Sequence, residues 1–365
     1  MRYNPAMPVI PPRWATRALG LTLLLAALAS GGCQNPPPAL PATPAPLAEH
    51  PTPAAPPGVR VARFAAALRE PAGLAVGPDG ALTVAESVDG AGQIVRLVDA
   101  DGDGAAEQVE TVAVGLARPR GLAWLAFPGQ TPLLLVAARV GLVVIDGGQA
   151  RLVGRLGSGA GQANDVAVGP DGRIYVTEGA AGDGAPQPGA VWRFDPAELL
   201  AGQEPVEGEL FVTGLRSAGG IAFSPSGAIY ATDNGEGWPV QAEAPDELNV
   251  LLGGGDYGWP QVWGQLPADS GSIGPMALFP PASGAAGLLF YSGRMFEDYA
   301  ADLLVALPGQ GQVVRVEIIS DAAGYHSVVH SFIDGLQRPV AVAEGPQGDL
   351  YVADAAAGVV YRFWR

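Results

Sequence analysis

The chain contains no lysine; all 20 of its basic residues are arginine. Schiff-base chemistry, a catalytic ammonium and any lysine contact to a cofactor are therefore excluded. Cysteine occurs once, as Cys33, so no disulfide within the chain can form. Histidine is almost as scarce. His50 lies in a Pro-rich stretch, while His326 and His330 share the strand-like run Tyr325 to Phe332, where solvent-facing or hydrogen-bonded sheet histidines are expected. Positive charge is in short supply overall, since 36 acids bring the formal net charge to −16. That balance argues against nucleic acid and against direct adsorption to anionic lipid, and it is compatible with divalent cations.

The apolar run Ala18 to Ala29 is too short to span a bilayer and follows Arg2, Arg13 and Arg17, the pattern of a secretion signal over residues 1–32. It ends Ala29-Ser-Gly-Gly-Cys33, which resembles the lipobox of bacterial lipoproteins. Cys33 is then the lipidated first residue of an extracytoplasmic, membrane-anchored protein; plain secretion by nearby cleavage is the alternative. Residues 33–57 are almost all Pro, Ala and Thr, a composition that favours extended polyproline II and reads as a stalk. Removal of residues 1–32, which hold three Arg and no acid, leaves a net charge of −19.

What the chain has in quantity is a repeated phrase. An apolar triplet is followed by Gly-Pro-Asp-Gly or a relative, then by an alternating strand ending in an acid. It occurs at Leu74–Glu86, Val166–Glu178, Ile221–Asp233 and Val342–Asp354. Each copy reads as two short strands joined by a turn in which Pro fixes φ and Gly supplies the positive φ. Weaker copies fall at Gly121–Trp124 with Leu133–Ala137, and at Gly287–Phe290 with Leu303–Leu307. Six copies at intervals of roughly 45 to 65 residues match four-stranded blades, none able to bury its faces alone. The expected fold is all-β, a six-bladed β-propeller over residues 58–365. The strand-like Val59–Phe64 and the terminal Gly358–Arg365 are expected to pair and close the ring.

The segment from Gly214 to Trp263 contains Gly214-Leu-Arg-Ser-Ala-Gly-Gly220, Pro245-Asp-Glu-Leu-Asn249 and Gly254-Gly-Asp-Tyr-Gly-Trp-Pro260. With Leu278-Phe-Pro-Pro, Gly287–Gly293 and Arg338-Pro-Val-Ala, it resembles the glucose/sorbosone dehydrogenase family of quinoproteins, in particular its pyranose dehydrogenase branch. The resemblance implies pyrroloquinoline quinone (PQQ) as cofactor, Ca²⁺ beside it, a sugar as substrate and a His as general base. It also implies cofactor contacts at Arg216, Ser217, Gly235 and Glu236. The family His is absent, its aligned position being Gly161 or Gln162. Asp165 is the substitute base that the sequence offers. The loop Leu307–Gln312 carries no Arg or Lys where the family brings one to the quinone, so that later basic contact is expected to be missing. The electron acceptor is not identified.

Two cation sites are candidates. Asp99, Asp101, Asp103 and Glu110 follow the Asp-x-Asp-x-Asp-Gly spacing with a twelfth-place Glu, a calcium-loop pattern whose alternative is a solvated acidic turn. Glu247 and Tyr257 match calcium ligands of some relatives, although Glu247 in place of that role can accept backbone hydrogen bonds. Two other functions stay open beside the dehydrogenase. One is a non-catalytic propeller binding a carbohydrate or protein on its loop face. The other is a metal-dependent lactonase, suggested by Asn164-Asp165 but short of an Asn where the chain has Gly219.

Overall fold

Each repeated phrase folds as the two inner strands of an antiparallel sheet, and the sheets are arranged as the blades of a propeller. The structure is a computed structural model and describes residues 52–365 except 89–91, 158–160, 180–188, 203, 236–243, 268 and 322–323. Among the described residues there are six sheets. Their innermost strands are Pro71–Val76, Leu122–Leu125, Gln162–Val168, Ala218–Phe223, Leu288–Phe290 and Pro339–Glu344, which begin blades one to six. The two weaker copies are therefore true blades, pairing Leu122 with Val136 and Leu288 with Val305. One α-helix, Pro196–Ala201, interrupts blade three, with Asp195 accepting a hydrogen bond from the Ala197 N–H at 2.8 Å. Among the described residues no helix is long and apolar enough to cross a membrane.

Apolar side chains lie between blades, because a twisted sheet buries both faces only against its neighbours. One cluster joins Ile94 of blade one to Leu134 and Val143 of blade two; another joins Tyr175 and Val191 of blade three to Ile221 and Leu251 of blade four. Near the axis the blades approach closely. A Cβ on Gly73 would sit 1.9 Å from the Arg120 carbonyl oxygen, so only glycine permits blade one to meet blade two there.

The ring closes as expected. Arg60–Ala65 pairs antiparallel with Val359–Trp364 in the register Val61 to Phe363 and Arg63 to Tyr361. The N-terminal strand thus becomes the outer strand of the C-terminal blade and covers an otherwise open sheet edge. Ahead of the closing strand, Ala54 exchanges backbone hydrogen bonds of 2.8 and 2.9 Å with Asp334.

The acid that ends each strong phrase has a structural task. It stands at the end of a blade's second strand, beside the chain leading into the innermost strand. Asp233 accepts the Arg216 and Ser217 N–H groups at 2.8 and 2.6 Å, and Asp354 accepts those of Gln337 and Arg338 at 2.7 and 2.9 Å. Glu86 accepts the Arg69 N–H at 2.6 Å.

Phe363 is 1% exposed and lies in the closure strand. Phe363→Ala should cost about 3–5 kcal/mol, a large part of a typical domain's stability. Deleting Tyr361–Arg365 should prevent cooperative unfolding altogether in a calorimetric scan; a truncated protein melting like the full chain would refute the closure.

Candidate functional site

The starts of the six innermost strands converge on a central cavity of about 420 Å³. Its wall includes Gly73, Leu122, Asp165, Ile221, Leu288 and Val342, one residue from each blade. Three guanidinium side chains, Arg118, Arg120 and Arg338, line it together with Glu70, Ser87 and Asn164. The guanidinium groups come from blades two and six, and the loop Leu307–Gln312 brings no cationic side chain to the cavity. A signal for two of them was present in the sequence. Glu70, Arg118 and Arg338 each directly precede a Pro at or just ahead of an innermost strand, in Glu70-Pro71, Arg118-Pro119 and Arg338-Pro339. Equivalent positions before equivalent strands face the same axis.

Deeper in the cavity, blade three contributes Asn164 and Asp165. Asp165 Oδ1 accepts the Val166 N–H at 2.9 Å and Oδ2 accepts the Ile221 N–H of blade four at 3.0 Å. Burial nevertheless dominates, and it pushes the carboxyl up to about 7 against the opposing effect of those two hydrogen bonds. Arg120 reaches across from blade two to donate to Asn164 Oδ1 at 3.0 Å, while the Asn164 Nδ2 donates to the Ala218 carbonyl at 2.7 Å. The Asn164 oxygen that a metal would need is thus occupied by a cation already.

Of the two positions aligned with the family His, Gly161 packs against Glu178: a Cβ there would fall 2.2 Å from Glu178 Oε1, and Glu178 Oε2 accepts the Trp192 indole N–H at 2.6 Å. Arg216 is buried and does not line the cavity. Its guanidinium donates to the Asn234 carbonyl at 2.8 Å and lies 5.7 Å over the ring of Trp259. The Ser217 N–H is held by Asp233, and the Gly235 N–H donates to Asp246 Oδ1 at 2.9 Å. Glu236 and Cys33 lie outside the described residues.

The acidic loop differs from its expected ligand set. Asp99, Asp101, Asp103 and Glu107 each present a carboxylate oxygen within 4.8 Å of the others. Glu110 is not among them. It lies on the strand Gln108–Leu116 and pairs with Arg96 at 2.8 Å, because the strand resumes before the twelfth place of a calcium loop is reached. Glu247 and Tyr257 are committed to the protein. Glu247 accepts from the Gly264 N–H at 2.7 Å and from Asn249 at 3.1 Å, and burial raises its carboxyl to about 7. Tyr257 donates to the Val250 carbonyl at 2.6 Å and accepts the Leu252 N–H, with burial raising its phenol to about 12. His330 pairs with Glu317 at 3.2 Å on the outer strands of blade five, away from the cavity, as does His326 with Asp321 at 3.8 Å.

Comparison with known proteins bears out the resemblance. Residues 187–362 match the family model Glucose / Sorbosone dehydrogenase. A stretch of 59 residues, 16% of this chain, is 34% identical to quinoprotein glucose dehydrogenase B of Acinetobacter calcoaceticus and spans 11% of that protein's length. The fold is similar to the holo PQQ domain of pyranose dehydrogenase from Coprinopsis cinerea, with a TM-score of 0.68 and 18% identity over 87% of this chain and 98% of that one. It is similar to a calcium structure of a family AA12 carbohydrate-active enzyme from Trichoderma reesei, with a TM-score of 0.68 and 16% identity over 86% and 97%. A third likeness is the PQQ-bound aldose sugar dehydrogenase of Streptomyces coelicolor, with a TM-score of 0.64 and 19% identity over 85% and 99%.

Asp165 makes stability depend on pH with a definite sign. Its folded value of about 7 lies above the ordinary 3.8, so the folded chain holds a proton that the unfolded chain has released. That contribution is full below about 3.8 and is lost as pH rises through 7. Denaturant titrations at pH 5 and pH 8 should therefore show Asp165→Asn gaining on the wild type as pH rises; a constant difference would contradict the shift.

Proposed function

For a propeller whose residues 187–362 match the Glucose / Sorbosone dehydrogenase family, we propose that the central cavity holds a carboxylated quinone of the PQQ type and serves the oxidation of a sugar hydroxyl or hemiacetal. The observation that carries this reading is the composition of the cavity, about 420 Å³ with Arg118 and Arg338 among its lining groups and Asp165 on its wall. On a chain of net charge −16, guanidinium groups gathered at one cavity favour an anionic guest. Arginine holds carboxylates through charge-assisted and frequently bidentate hydrogen bonds, so these donors suit the group. When bound, the quinone accepts the electrons and hydrogen that leave the sugar carbon.

The chain's own part is to orient both molecules and to take the hydroxyl proton. Asp165 is the base in this proposal, in place of the absent His. Each of its carboxylate oxygens keeps a lone pair beyond its backbone hydrogen bond, and a value of about 7 suits a base working near neutrality. Ca²⁺ is assigned to the loop of Asp99, Asp101, Asp103 and Glu107, where it braces two strands of blade one instead of touching the quinone. Cys33 is taken as the lipid anchor of an extracytoplasmic protein, with secretion as the alternative.

Titration of the purified full chain with PQQ and Ca²⁺ tests the cofactor. Arg338→Ala should weaken binding about 10- to 100-fold, the loss of one charged hydrogen-bond partner at about 1.5–3 kcal/mol. Absence of binding at high micromolar quinone would overturn the reading. With quinone bound, sugar oxidation should rise through pH 7 and be lost in Asp165→Asn. Ca²⁺ should raise the melting temperature of the wild type and not of Asp101→Asn; equal melting with and without chelator would remove the loop from the account.

A further inference from the structure

Arg120 differs from the other cavity arginines in its surroundings. Arg118 and Arg120 both line the cavity, on the segment that leads into the innermost strand of blade two. Its Nη contacts Asn164 Oδ1 at 3.0 Å, and among the described residues no carboxylate pairs with it. Burial, with Arg118 nearby, lowers its guanidinium pKa, as expected of a cation short of negative charge. Asp165 does not relieve it, because both carboxylate oxygens turn to backbone N–H groups. Yet the two residues share one floor: the Cβ position of Gly121, the next residue after Arg120, lies 2.1 Å from Asp165 Oδ1, and the Gly121 N–H donates to the Asn164 carbonyl at 3.0 Å.

We propose that Arg120, steadied by Asn164, is a specificity-determining subsite for a carboxylate on the substrate, so that the sugar this cavity takes is a sugar acid such as a hexuronate. This rests on the function proposed above, in which Asp165 receives the proton of the reacting hydroxyl. A sugar with that hydroxyl on Asp165 has its ring beside Arg120. A neutral sugar leaves the guanidinium without a counter-charge, whereas a uronate supplies one and keeps its remaining hydroxyls for the polar wall. Arg118 and Arg338 remain for the quinone.

The test measures D-glucuronate and D-glucose binding to the full chain by calorimetry, with and without saturating PQQ. Glucuronate should bind at least tenfold more tightly than glucose in both states. Arg120→Gln should reduce it to the glucose level without changing quinone affinity. Asn164→Asp, which gives Arg120 a carboxylate of its own at nearly constant volume, should do the same and guards against a folding defect in the first variant. Glucuronate binding no tighter than glucose, insensitive to both variants or displaced by PQQ would overturn the subsite, displacement meaning that Arg120 serves the cofactor. Glucuronate held through Arg120 by a chain that binds no quinone would overturn the dehydrogenase reading and leave the carboxylate subsite standing.

Discussion

The arrangement around the axis depends on one recurring interaction, a buried carboxylate that accepts the backbone N–H groups just ahead of an innermost strand. Asp233 and Asp354 each take two such groups, and Glu86 takes one. Without it, those donors would be desolvated and unpaired, at about 1–3 kcal/mol each. The braced residues include Arg216 and Arg338, so the interaction that secures the sheet also sets where guanidinium groups point. Blade two has no such acid and uses backbone pairing instead, the Arg120 N–H donating to the Ala137 carbonyl at 2.8 Å.

The fold was legible because its information is periodic. A Gly-Pro-Asp-Gly turn between alternating strands carries the same meaning wherever it recurs, and even the degenerate copies at Leu122–Leu125 and Leu288–Phe290 kept enough apolar pattern to be counted. Ring closure followed from strands at both ends that had no other partner. The calcium-loop spacing was only half informative. Spacing located Asp99, Asp101 and Asp103, but the choice between Glu107 and Glu110 turned on where the strand resumes, which spacing does not encode.

The cavity was harder to read for a physical reason. Its walls come from all six blades, from stretches far apart in the chain, so no local window contains the site. Motif matching favoured Arg216, which the fold buries against Trp259 and the Asn234 carbonyl. The cavity arginines lacked a motif and were marked only by their offset from the repeats. Beside Gly161 stands the Glu178 side chain, itself held by the Trp192 indole N–H, a neighbourhood that the local sequence around Gly161 does not announce.

The pairing of Arg60–Ala65 with Val359–Trp364 also bears on the order of events during folding. These two strands lie at opposite ends of the propeller sequence, so the first waits for the whole ring of blades before it finds its partner. Until it does, Phe64 and the edge of Val61–Ala65 are uncovered, and the sheet of blade six lacks its outer strand. Contacts of such large sequence separation are the kind that form slowly. An intermediate without this pairing is an open arc of blades with an apolar edge exposed at the seam.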